Sequence, residues 1–66
     1  MKIELNGQAL EVAAGVTLSS LLANEGLAER RVAIEVNGEI VPRSLLGSHA
    51  LDEGDRVEIV HALGGG

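Results

Sequence analysis

The sequence predicts an α+β domain: a mixed sheet of four or five strands with one helix packed across it. Three observations carry the prediction. Two Asn-Gly dipeptides, Asn6-Gly7 and Asn37-Gly38, each stand between alternating apolar residues. One leucine set, Leu18, Leu21 and Leu22, has helical spacing. A final alternating run, Arg56 to Ala62, leads into Gly64-Gly65-Gly66. The 66 residues suffice for one domain, assigned to residues 1–63, followed by a flexible glycine tail at 64–66.

The first hairpin can be tested by register. An Asn-Gly pair suits the two-residue type I′ turn, which needs φ > 0 at both positions. With Asn6-Gly7 as the loop, Leu5 faces Gln8, Ile3 faces Leu10 and Met1 faces Val12. The opposite face then pairs Glu4 with Ala9 and Lys2 with Glu11. One side is apolar and the other carries an opposite-charge pair, as a half-buried hairpin requires.

Thr17 is the expected N-cap of a helix running roughly from Leu18 to Glu25. Its leucines recur at i, i+3 and i+4, and Gly26 supplies a left-handed stop. So short a helix must lean on the hairpin's apolar face. Val32 to Val36 forms the third strand, with Ile34 and Val36 on one side. The turn at Asn37-Gly38 leads into Glu39-Ile40-Val41, stopped by Pro42, which suits a strand end or an edge. Ser44-Leu45-Leu46 suggests a helical turn, and Asp52-Glu53-Gly54-Asp55 a tight one. In the last strand Val57 and Ile59 point inward.

Composition narrows the function. The chain is 45% hydrophobic yet holds no Phe, Tyr or Trp, so the core is aliphatic. A domain of this size has little interior to spare for a substrate cavity of several hundred Å3, which argues against an enzyme. With no cysteine, disulfides and thiolate metal sites are excluded. Net charge is −5, and the only cations are Lys2, Arg30, Arg31, Arg43 and Arg56. That is too few for nucleic acid and favours a basic protein partner. No apolar run has the length of a membrane span, and a small domain that folds without cysteine staples suits the cytosol, so a cytoplasmic location is expected, with the free chain a monomer.

Side chains offer no catalytic set. Of the two histidines, His61 falls on the inward phase of the last strand and reads as partly buried, while His49 reads as a surface loop residue. Ser19, Ser20, Ser44 and Ser48 have no base at a recognisable spacing. The carboxylates around Gly54 lack the twelve-residue calcium pattern and read as a solvated turn. Gly15 is isolated and makes no phosphate loop.

The tail has a chemistry of its own. Residues without Cβ can thread a slot too narrow for any other, and the last atoms are an unhindered carboxylate. A carboxylate attacking the α-phosphate of ATP yields an acyl-adenylate, whose AMP can be displaced by sulfide, a persulfide, a thiol or an amine. The chain would supply the reacting carboxylate, and a partner would supply ATP, magnesium and the catalytic side chains.

Hairpin, helix, short hairpin and a final strand ending in Gly-Gly resemble the β-grasp, ubiquitin-like architecture. More closely, the chain is similar to the bacterial sulfur carriers of thiamine biosynthesis, in the thiazole-forming branch. Three stretches carry the likeness: Met1 to Gly7, weakly; Ala33-Ile34-Glu35-Val36-Asn37-Gly38-Glu39-Ile40-Val41-Pro42-Arg43; and Leu51 to Val60 with the glycines after it. Leu45-Leu46 stands where that family commonly has an aromatic residue, and Leu46 is expected to fill its place. The resemblance implies that Gly66 is adenylated and then becomes a thiocarboxylate, with Gly64 and Gly65 as the threading tail. It implies three partners: an adenylyltransferase of the E1-like class that consumes ATP, thiazole synthase as sulfur acceptor, and a cysteine desulfurase upstream. No cofactor or metal is expected on the chain. The molybdopterin-synthase small subunit, a ubiquitin-like protein modifier and a plain binding module remain as alternatives.

Strand phase locates a partner surface. Val60 and Ala62 alternate away from Val57 and Ile59, and the second hairpin's register puts Ile40 opposite Glu35, on the same outward face as Ala33. Aliphatic side chains gathered on the helix-free side suggest docking. Ubiquitin-like folds usually interact through this face, which the resemblance adds.

Overall fold

The computed structural model describes residues 1–28 and 30–61. The elements run in the order β1 (Lys2–Leu5), β2 (Gln8–Glu11), α1 (Leu18–Asn24), β3 (Val32–Val36), β4 (Glu39–Val41), a 3-10 turn (Arg43–Leu45) and β5 (Arg56–His61). All five strands join one sheet in the order β2-β1-β5-β3-β4. The β1–β5 pair is parallel and the others are antiparallel, so the sheet is mixed.

The hairpin registers are those that the turns impose. Ile3 pairs with Leu10 and Leu5 with Gln8, while Asn6 and Gly7 have φ of 49° and 84°. Asn37 and Gly38 repeat the arrangement at 53° and 86°. These values allow the narrow two-residue turn, whose twist matches that of the strands.

The helix is tied at both ends. The Ser20 N–H donates to the Thr17 hydroxyl oxygen at 3.2 Å. The two preceding helical N–H groups, of Leu18 and Ser19, donate to the carbonyls of His49 and Leu46 at 3.1 and 3.0 Å. Groups that a helix start leaves unpaired are thus met by the segment after the 3-10 turn. At the other end Gly26 has φ 76°, and its N–H donates to the Ala23 carbonyl while that of Leu27 donates to Leu22. This is the Schellman pattern, with Leu27 half-buried against the core.

The core lies between the helix and one sheet face. Leu18, Leu21 and Leu22 of α1 meet Ile3, Ile34, Val36, Val57 and Ile59 of the sheet, and Leu46 and Leu51 close the sides. Leu46 is buried as expected, while Leu45 beside it stays 49% exposed.

Both histidine expectations are corrected. His61 keeps the phase of Val57 and Ile59 but is exposed. It ends the strand opposite Val32, which is itself only half-buried, so the closed part of the core stops before it. His49 is half-buried rather than a surface residue. Its backbone is held between the Leu45 carbonyl, at 2.9 Å, and the start of α1. The Asp52–Asp55 turn is as expected. Gly54 has φ 84°, and the Asp55 carboxylate accepts from the Asp52 N–H at 2.8 Å and the Asn37 amide at 3.0 Å.

Candidate functional site

β5 is the strand that positions the site, because it lies in the middle of the sheet and leads toward the glycines. Val57 and Ile59 point into the core, at 1% and 8% exposure, while Arg56, Glu58 and Val60 point the other way. Val60 is 53% exposed and stands directly opposite Ala33 of β3, also exposed. One strand further, Ile40 of β4 is opposite Glu35 and 68% exposed. The register therefore brings Ala33, Val60 and Ile40 to one helix-free face. Ala62, the fourth residue assigned to this face, lies outside the described residues. So do Gly64, Gly65 and Gly66.

Charged residues surround the aliphatic ones. Lys2 and Glu11 face each other across β1–β2, Glu4 neighbours Arg56 across β1–β5, and Glu35 faces Glu58 across β3–β5. The last pairing was not foreseen. Both residues alternate outward in the sequence, but only the β3–β5 register reveals that they meet, and no local turn sets that register.

Chemistry among the described side chains is sparse. No group of three or more His, Asp and Glu residues could hold a metal ion among the described residues. The serine hydroxyls with partners bind Thr17 and the Leu45 carbonyl rather than an imidazole. No described helix is long and apolar enough to cross a membrane. What the described residues present is a surface.

A five-stranded mixed sheet in this order, crossed by one helix, defines a β-grasp protein of the ubiquitin-like class. The crystal structure of a thiamine biosynthesis protein (ThiS) from Geobacter metallireducens superposes with a TM-score of 0.87 at 30% identity, over the whole of both chains. The ThiS family model matches residues 3–66. The sulfur carrier protein ThiS of Escherichia coli is 33% identical over 66 residues, all of both chains. A thiazole synthase of Magnetococcus marinus is 46% identical over the same length, and this chain spans 20% of it. The chain belongs to the ThiS family.

Proposed function

We propose that this chain is a sulfur carrier of thiamine biosynthesis and that Gly66 bears the sulfur. The observation that carries the reading is the full-length match to a sulfur carrier protein, within a family match that runs through Gly66. The reading rests on Gly66 bearing the terminal carboxylate, which the intact mass of the unmodified protein checks. A carboxylate oxygen attacks the α-phosphorus of ATP and pyrophosphate leaves, forming the acyl-adenylate. Sulfide sulfur then attacks the acyl carbon and AMP leaves with the bonding electrons, so the carboxylate has exchanged one oxygen for sulfur. A partner adenylyltransferase of the E1-like class holds the ATP and magnesium, so the carrier is a co-substrate and needs no bound cofactor. A cysteine desulfurase supplies the sulfur in the cell. Thiazole synthase receives it, a reading supported by a thiazole synthase that contains a stretch similar to this chain.

Gly64 and Gly65 thread the partner's slot, and Ala33, Ile40, Val60 and Ala62 form the docking face. The body fixes that face while the tail reaches the reaction centre. Incubation with ATP, magnesium, sulfide and the cognate adenylyltransferase should convert the chain to a product heavier by the difference between sulfur and oxygen. Intact-mass spectrometry reads this directly, and deletion of Gly66 should abolish it. Gly65→Val should also abolish it, because a β-branched side chain narrows φ/ψ and fills the slot. An unchanged mass with demonstrably active enzyme overturns the proposal, and an amide-linked product would point to a protein modifier.

A further inference from the structure

The helix-free face carries four carboxylates, Glu4, Glu11, Glu35 and Glu58, and two cations, Lys2 and Arg56. The register sets Lys2 across from Glu11 and Arg56 across from Glu4, and Arg56, two residues before Glu58 on the same side of β5, also lines the depression beside Glu35 and Glu58. Glu35 and Glu58 are left facing each other. Residues directly opposite in an antiparallel pair have Cβ atoms about 4.5–5.5 Å apart, and like charges placed so are destabilising. Among the described residues the one ion pair joins the N-terminal ammonium to Glu11, so neither Glu35 nor Glu58 lies within ion-pair distance of a cation. Glu35 is half-buried, which withholds some of the water that would screen it.

The surroundings of the pair suit a docking partner. Ala33 and Val60 form the next outward pair along the ladder, and Ile40 flanks Glu35 on the other side. A depression of about 230 Å3 lies beside the two carboxylates, lined also by Asn37, Gly38 and Arg56. That space accepts the end of one long side chain.

We propose that Glu35 and Glu58 together receive one cationic side chain of the adenylyltransferase, set among apolar residues that cover Val60 and Ile40. Two carboxylates against the single Arg56 leave the depression net negative, and a docking cation offsets that charge, so the pair selects a basic, aliphatic surface over other apolar ones. An arginine fits best, because its planar fork can bond two carboxylates at once. The inference rests on the reading of this face as the docking surface and adds the chemistry of what docks.

The test measures stability and binding on the same full-length variants. Glu35→Gln and Glu58→Gln should each raise the thermal midpoint by about 2–4 °C, since removing one charge ends the repulsion. Each should weaken binding to the cognate adenylyltransferase, measured by calorimetry, at least tenfold and flatten its salt dependence. Glu58→Lys places an ammonium across from Glu35 and should stabilise the fold further while abolishing binding. Greater stability with lost binding is a combination that a merely structural pair does not produce. Unchanged binding in both glutamine variants, with Val60→Glu still weakening it, overturns the charge pair and leaves the apolar face standing. Unchanged binding in all of them overturns both. A lowered midpoint in both glutamine variants overturns the repulsion itself.

Discussion

Asn6 and Asn37 are chosen for more than their turns. Glycine would tolerate their positive φ equally well, but it lacks the side chain that ties each turn to β5. The Ile59 N–H donates to the Asn6 side-chain oxygen at 2.8 Å, and the Arg56 N–H donates to that of Asn37 at 3.0 Å. The Asn6 bond continues the β1–β5 ladder past the end of β1, after the Asn6 N–H has bonded the Val57 carbonyl at 2.9 Å. Asn6→Gly should keep the turn but leave a part-buried N–H unmet, costing about 1–3 kcal/mol in urea unfolding. Asn6→Asp keeps an oxygen acceptor in a residue that tolerates this φ, and should recover most of the loss. Equal stability of Asn6→Gly and the parent would show the bond to be idle. The turn conformation was legible in the dipeptide alone. Its second use was not, because the acceptor and donor lie 53 residues apart and meet only when β5 docks.

Within single elements the sequence is most legible where the signal is local. Thr17 and Gly26 mark the helix limits, and the leucine spacing picks the buried stripe. The carbonyls of His49 and Leu46 that finish the helix start come from a distant segment and had no local mark. In β5 the alternation correctly separates Val57 and Ile59 from Val60, but alternation assigns a side of the sheet and not a depth. His61 shows the difference, since it shares the inward side and is still exposed. Because Val60 lies on the open face, Val60→Glu should leave the circular-dichroism spectrum unchanged and the unfolding free energy within the roughly 0.5 kcal/mol typical of surface substitutions. It should weaken adenylyltransferase binding more than tenfold, about 1.4 kcal/mol. Loss of the folded spectrum would contradict the exposure of Val60, and undiminished binding would show the aliphatic patch to be inert.

For the molecule as a whole, element types and order follow from periodicity, but the strand order β2-β1-β5-β3-β4 does not. Periodicity assigns faces, whereas the placement of the last strand between the first and the third depends on long-range pairing. The glycines on which the proposed function rests can be read from the sequence alone, while the Glu35–Glu58 opposition requires the assembled sheet. The parallel neighbours β1 and β5 also determine how the domain responds to force. Their starts lie at the same edge, so a pull between Met1 and the end of β5 slides one strand along the other. The bonds from Glu4 to Asp55, from Asn6 to Val57 and from Ile59 to the Asn6 side chain are then loaded together rather than opened one by one. In single-molecule extension, tethers at Met1 and His61 should therefore give a single high-force rupture, and Asn6→Gly should lower it. A stepwise opening at low force would contradict the shear geometry. Under the proposed function, in which a partner draws in the tail, these bonds anchor the domain at the strand where the tension enters.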